Sequence, residues 1–306
     1  MNFQVDQLSA LIAAVDHGTF DAAARELNVT PSAISQRVKA LEEAAGRVLL
    51  QRVKPIRPTS SGEAVLRLAR QVALLQAETT DLLSIGDSDD TSGDEPGDTH
   101  LAFTTIPLVI NSDSLATWAL PALAQVTTEH RVTFDVYRED QDYSTARLRD
   151  GSVMAAVTSS SEPVAGCEVR RLGKMHYRPM ASRSFANRWF PDGATAAALR
   201  AAPMVVYDRS DDLQDHYLRR HAGRRVDPPR SYVPASAEMA TAVLLGLGWG
   251  MVPEAQLDEL QTRGDLVSIG DDGIDVVLYW QQWRLRSRLL TAVADAVAAA
   301  AIERLR

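Results

Sequence analysis

One cysteine, Cys167, is all the chain has, so no internal disulfide can form and no cysteine-built zinc site can be assembled. A buried structural thiol in a reducing compartment fits that count. No stretch approaches the roughly 20 apolar residues that a membrane span needs. The start, MNFQVDQLSALIAAVDHG, has no basic leader, and Asp16 and His17 break its apolar run, so it does not read as a signal peptide. A soluble, cytoplasmic protein is expected. Six histidines are scattered without the i, i+4 spacing of a metal-binding helix, and neither a metal nor a cofactor is expected. There is no G-x-S-x-G elbow, P-loop or H-E-x-x-H. The GLGWG run at 246–250 follows a helix, the wrong context for a dinucleotide site. An enzyme is therefore not expected, and Trp118, Trp249, Trp280 and Trp283 read as core.

What is present is enough for several domains. The chain has 306 residues, 45% of them hydrophobic and 24% charged, which exceeds the usual single domain and supplies real cores. Net charge is −8, which taken alone argues against a nucleic-acid partner. The charge is uneven, however. From Gln36 to Arg57 six basic residues face two acids, while Asp81 to Asp98 holds seven acids and no Lys or Arg. Screening confines each patch to about 10 Å, so the basic stretch keeps its own character.

Periodicity places the elements. Leu8, Leu11, Ile12 and Val15 predict a helix over 6–17 ended by Gly18. Thr19 can cap a second helix carrying Phe20, Ala23, Ala24 and Leu27. After the turn Asn28-Val29-Thr30, Thr30 is the N-cap and Pro31 the first residue of a third helix. Ala33, Ile34, Val38 and Leu41 point inward, leaving Ser32, Ser35, Gln36, Lys39 and, at the edge, Arg37 outside. RVLLQRVKPIRP at 47–58 suggests a basic hairpin or wing. A capping box from Ser60 to Glu63 then opens a long helix. On it Val65, Leu68, Val72, Leu75, Thr79 and Leu82 alternate steps of three and four, the pattern of a helix that pairs with another helix. GDSDDTSGDEPGD at 86–98 reads as a linker, and beyond it β-rich runs alternate with helices as in an α/β sheet.

Two short helices joined by a tight turn, the second polar outside and followed by a basic wing, form the winged helix-turn-helix pattern. Gln36 can pair with adenine, and Ser32 and Ser35 can serve base or phosphate. Arg37, Lys39, Arg52, Lys54 and Arg57 can neutralise phosphates. FDAAARELNVTPSAISQRVKALEEAAGRVLLQRVKPIRPTSSGEAVL, residues 20–66, resembles the amino-terminal domain of LysR-type transcriptional regulators. The match falls on Ala23, Ala24, Leu27, Ala33, Ser35, Leu41, Glu42, Gly46, Leu49, Arg52, Thr59 and Gly62, with Leu50 in place of the usual Phe. NSDSLATWALPAL, REDQDY, YDRSDDLQ, LGLGWGMVPE and LYWQQWRL are further similar to the ArgP/LysG branch of that family, which responds to lysine and arginine and controls basic amino-acid export.

The resemblance implies an α+β winged helix-turn-helix domain at 1–58, a dimerising linker helix at 59–85, an acidic hinge at 86–98 and an effector domain at 99–306. The last would be a two-lobed α/β domain like type 2 periplasmic solute-binding proteins, lobe I from about 99–169 and 272–306, lobe II from about 170–271. It also implies a homodimer or dimer of dimers, contact with RNA polymerase and a basic amino acid, lysine or arginine, as effector. Pairing through the long helix would set two recognition helices about 34 Å apart, matching an inverted-repeat operator on double-stranded DNA. In a two-lobed domain ligands sit between the lobes at the carboxyl ends of strands. Backbone N–H groups at Ser112, Asp113 and Ser114 suit an α-carboxylate, and Asp113 suits an α-ammonium. Asp140 and Asp142, or Asp208 and Asp212, suit a side-chain cation, with Thr104, Thr105 and Thr158 as hydroxyl donors. The competing readings are a LysR-type regulator with another effector, a solute-binding or catalytic α/β protein, and an architectural DNA-binding protein.

Overall fold

The computed structural model describes residues 2–86, 103–138, 141–222 and 226–306, so the expected hinge falls almost wholly outside the described residues. Helix α1 (Val5–Asp16) buries Leu8 and Leu11, and α2 (Phe20–Glu26) starts where the Thr19 hydroxyl accepts the Ala22 N–H at 3.2 Å. Asn28, at φ +52°, turns the chain into α3 (Pro31–Ala45). There the Thr30 hydroxyl accepts the Ala33 N–H at 3.2 Å, and Ile34, Val38 and Leu41 are buried. Strands β1 (Leu50–Gln51) and β2 (Arg57–Pro58) pair antiparallel as the wing.

Helix α4 (Ser60–Gly86) begins differently from expectation. Its cap is Thr59 rather than Ser60: the Thr59 hydroxyl accepts the Gly62 N–H at 3.0 Å and lies 2.8 Å from the Val48 carbonyl, to which it donates. The Thr59 N–H also donates to the Leu49 carbonyl at 2.8 Å. A residue that closes both the helix and the wing outcompetes a purely local capping box. Leu66 and Ala69 of α4 complete the core of the first three helices, and Leu74 enters the core of the second unit.

That second unit is built from β3 (Thr104–Ile110), α5 (Ser112–Ser114), a π-helical turn (Leu115–Ala119), α6 (Leu120–Glu129), β4 (Val132–Arg138), α7 (Gln141–Asp150) and β5 (Ala155–Thr158). Next come β6 (Cys167–Ser182), α8 (Arg183–Trp189), α9 (Ala196–Ala201), β7 (Met204–Val206), α10 (Leu213–Ala222) and β8 (Arg230–Tyr232). The chain closes with α11 (Ser236–Leu244), β9 (Gly250–Pro253), α12 (Glu254–Arg263), β10 (Leu266–Ser268), β11 (Ile274–Trp283) and α13 (Arg288–Arg304). The main sheet runs β10-β6-β11-β5-β3-β4, with β9 also on β6. Lobe I carries β3, parallel to β4 and β5, covered by α6, α7 and α13. Lobe II carries β7 to β10 with α8 to α12.

Two long strands join the lobes. The 16-residue β6 starts at Cys167 and pairs with β11 along that strand's length, with a register shift between Leu278 and Tyr279. Past that shift β11 pairs β5 through Tyr279 to Gln282. The four tryptophans read as core are buried, and Cys167 is a buried free thiol whose pKa burial pushes up to about 11.

Gly62 shows how tightly wing and helix meet, since a Cβ there would lie 2.0 Å from the Leu49 carbonyl oxygen. Backbone cannot yield as a side-chain tip can. Gly62→Ala is expected to destabilise the chain by about 1 to 3 kcal/mol, measured by urea denaturation. Unchanged stability would show that the wing is not docked on α4.

Candidate functional site

The polar face of α3 is where the sequence places it. Thr30, Pro31, Ser32, Gln36 and Lys39 are exposed, and Ser35 and Arg37 are half-buried. Arg52, Lys54 and Arg57 stand exposed on the wing. The structure sorts these cations into two groups. Arg37 pairs with Asp6 at 3.3 Å, Lys39 with Glu43 at 3.8 Å and Arg52 with Glu42 at 4.0 Å. Pairs of this kind, with at least one exposed partner, are worth at most about 1 kcal/mol, so a phosphate can replace any of the three acids. Lys54 and Arg57 have no ion-pair partner among the described residues. Glu42 has a role the sequence did not disclose: its Oε1 accepts the Leu49 and Leu50 N–H groups at 2.8 and 3.3 Å, which pins the wing to the polar helix.

On α4, Leu68, Leu75 and Leu82 are 41%, 39% and 52% exposed, a large cost in open apolar surface at a seven-residue spacing. Val65 and Val72 instead are half-buried and pack against the core of the first three helices. Thr79 is exposed, its hydroxyl donating to the Leu75 carbonyl at 2.7 Å.

Between the lobes lies a cavity of about 490 Å³. Its lobe I wall is Asn111, Ser112 and Asp113, just past the carboxyl end of β3, with Ser159 past β5. The joining strands add Tyr177, Ile274 and Asp275, and lobe II adds Tyr207, Asp211, Asp212, Gln214, His216 and Ser236. Asp113 is the bridge. Its Oδ2 accepts the Tyr177 hydroxyl at 2.5 Å and its Oδ1 accepts the Ser236 hydroxyl at 2.5 Å. Ser236 Oγ accepts in turn from Gln256 at 2.8 Å, and the Ser236 N–H donates to the Ser112 hydroxyl at 3.2 Å.

Burial, opposed by the two hydroxyl donors, pushes the Asp113 carboxyl above its ordinary range. Tyr177 is raised well above its usual value, by burial first and then by the adjacent Asp113. Asp211 is also raised, chiefly by burial, although it accepts the Leu213 and Tyr207 N–H groups at 3.0 and 3.2 Å. Asp275 behaves oppositely: the His176 hydrogen bond at 2.7 Å, helped by Lys174 at 3.2 Å, holds it below the usual carboxylate range. Among the described residues, Asn111 Oδ1 and Gln214 Oε1 are buried acceptors with no hydrogen-bond partner.

The expected ligand residues divide accordingly. Ser112, Asp113 and Asp212 line the cavity, Asp212 at its exposed mouth. Asp208 does not; its Oδ1 accepts the N–H groups of Ser210 and Asp211 at 2.7 and 3.1 Å and so holds the turn that presents Asp211. Thr158 is buried and accepts the Ser160 N–H at 3.2 Å, while the neighbouring Ser159 faces the cavity. Ser114 is buried and does not line it. Thr104 begins β3, six residues or about 20 Å from the strand end where the cavity opens, and Thr105 is engaged with Thr133 at 2.8 Å. The structure therefore removes Thr104 and Thr105 from the cleft, because ligands gather at the other end of parallel strands. Asp140 lies outside the described residues, as does the side chain of Asp142. Tyr177, Asp211, Ser236, Gln256, Asn111, Gln214 and Asp275 were missed. Of these, Asp211 and Gln214 stand in YDRSDDLQ and Asn111 opens NSDSLATWALPAL, so these three had a local signal.

The raised carboxyl of Asp113 has a signed consequence. A carboxylate whose folded pKa lies above its unfolded value of 3.8 costs stability once pH exceeds that value, and the cost grows as pH rises through the folded pKa. Asp113→Asn removes the charge but keeps one acceptor. Its stability relative to the parent should therefore improve progressively from about pH 4 upward in parallel thermal melts. A difference independent of pH would contradict the assignment.

The geometry of a winged helix-turn-helix head on a cleft-bearing two-lobed unit is matched by known proteins. Residues 5–63 match the bacterial regulatory helix-turn-helix protein, lysR family, and residues 104–302 match the LysR substrate binding domain. The lysine export transcriptional regulatory protein LysG of Corynebacterium glutamicum is 39% identical over 305 residues, covering 98% of each chain. The crystal structure of ArgP from Mycobacterium tuberculosis superposes with a TM-score of 0.82 at 43% identity over 98% of each chain. Full-length LysG of C. glutamicum with bound effector Arg superposes with a TM-score of 0.75 at 38% identity over the whole of both chains. No helix among the described residues is long and apolar enough to cross a membrane. The chain belongs to the LysR family of bacterial transcriptional regulators.

Proposed function

We propose that this regulator reads an inverted-repeat operator in the cytoplasm as a homodimer or dimer of dimers, takes a basic amino acid in its inter-lobe cavity, and controls a basic amino-acid exporter through contact with RNA polymerase. One observation carries the effector class: among the described residues the cavity wall holds four carboxylates, Asp113, Asp211, Asp212 and Asp275, and no Lys or Arg. Buried carboxylates disfavour one another, and a cation relieves that cost. The unpartnered oxygens of Asn111 and Gln214 add acceptors for N–H donors, which an ammonium or guanidinium supplies in number. The N–H groups that open the helical run at Ser112 remain suited to an α-carboxylate. The C. glutamicum relative, a lysine export regulator whose full-length structure holds Arg, points the same way.

The proposed dimer seam runs through Leu68, Leu75 and Leu82, with Thr79 on the same side and Val65 and Val72 turned partly into their own head. Of the expected DNA contacts, exposed Gln36 is the base reader, and Lys54 and Arg57 are the cations most available to phosphate. Thr30, Pro31, Ser32, Ser35, Arg37, Lys39 and Arg52 complete the surface.

Thermal denaturation with arginine, lysine and histidine tests the effector claim. Arginine or lysine at 100 times its dissociation constant should stabilise the chain by about 2.7 kcal/mol; no response to any of them would remove the claim. For DNA, Gln36→Ala should cost about 1 to 3 kcal/mol on the operator and nothing on random duplex. Lys54→Ala should weaken all sequences and lower the salt slope by about one. Equal losses on both duplexes for Gln36→Ala in a gel-shift series would contradict base reading.

A further inference from the structure

The middle of helix α4 is tied to lobe I. Leu74 is buried in the core of the second unit, where α4 packs on α7 of lobe I. Two turns earlier, Arg67 Nη1 donates to the Ala165 carbonyl at 3.3 Å, in the loop between β5 and β6. One turn later Glu78 reaches the start of α13: its Oε1 accepts the Ser287 hydroxyl at 2.5 Å and the Leu289 N–H at 2.9 Å. Ser287 is itself the cap of α13, accepting the Leu290 N–H at 3.0 Å, and is buried. A carboxylate from another helix thus meets the first, electropositive turn of α13. Such a contact is directional, whereas the Leu74 contact is not.

We propose that Glu78 is a positioning residue for operator recognition: by capping α13 it holds the reading arm to lobe I, so that a change in how lobe I sits against lobe II is passed to the arm and the head. The lock reaches the head because α4 is also fixed there, through the paired Arg70 and Asp16 and through Leu66 and Ala69. Lobe I is in turn joined to lobe II through the cavity wall, by Asp113 to Tyr177 and Ser236. A ligand that alters lobe closure therefore acts on the arm through α13, whose first turn Glu78 holds. The inference rests on the proposed effector response for its regulatory meaning but not for the contact itself.

Hydrogen–deuterium exchange on the full-length protein without ligand reads the contact. In Glu78→Ala the amides of Leu289 and Leu290 and those of α4 around Leu74 should exchange at least about tenfold faster; unchanged exchange overturns the lock, whatever arginine does. The regulatory step is read as the ratio of operator affinities with and without arginine, which in allosteric proteins spans about 5- to 150-fold. Glu78→Ala should bring that ratio close to one while arginine affinity and binding to random duplex stay within about twofold, and Glu78→Gln, which keeps an acceptor, should restore part of it. A full ratio in Glu78→Ala overturns the proposal. If the parent protein shows no arginine response, the effector reading fails and the exchange measurement still decides the lock. Should Glu78→Ala not fold, Ser287→Ala breaks the hydroxyl contact from the other side under the same two readouts.

Discussion

A carboxylate buried between two lobes costs several kcal/mol unless donors meet it, and the placement of the cleft follows from how that condition is satisfied at Asp113. The donors come from different places: Tyr177 from the strand that joins the lobes and Ser236 from the first residue of α11 in lobe II. Because the residue lies just beyond β3 and its donors lie across the gap, satisfying it draws the lobes together at one point and leaves the remaining wall as a cavity. Gln256 behind Ser236 and Ser112 before Asp113 extend the same network. A network of this kind specifies one arrangement, since loss of any member strands the others.

Helix α4 imposes the second constraint. It contributes Leu66 and Ala69 to one core and Leu74 to another, so neither unit packs fully without it. The capping threonine at its start is shared with the wing, and the pairing of Arg70 with Asp16 ties it to α1. What stays uncommitted is the row Leu68, Leu75 and Leu82, apolar surface that a partner helix buries in the proposed dimer.

How much of this the sequence disclosed depended on distance along the chain. Thr19, Thr30, Pro31 and the inward row Ile34, Val38 and Leu41 were legible because caps and helical periodicity are local. Ser60 was preferred over Thr59 because the deciding partners, the carbonyls of Val48 and Leu49, are supplied by the wing. The cleft was legible as a location and as two acids, Asp113 and Asp212, but not as a constellation: Tyr177 and Ser236 are 64 and 123 residues away from Asp113. Thr104 entered the expectation from its place at a strand end without regard to which end, and strand direction alone excludes it. Arg37, Lys39 and Arg52 looked equivalent to Lys54 and Arg57 until their acidic neighbours were placed.

The uneven charge of the chain acquires a physical meaning once the cleft and the head are seen together. Head cations face water and, on the proposed surface, phosphate; screening leaves them little influence beyond about 10 Å. Of the cleft acids Asp113 and Asp211 are desolvated, and Asp113 and Asp208 are among the charges that raise Asp211, so the cavity wall holds these carboxyl groups at an electrostatic cost. A cation entering there gains what those groups lose by standing near one another, and it gains it only with the lobes placed so that both walls reach it. Differential affinity for one lobe arrangement is the sole means by which a ligand can shift a conformational equilibrium. In the proposed effector response an acid-lined cleft built from both lobes supplies that difference, and α4, packed into the cores of both units, is the element through which the basic head receives it as a change of position.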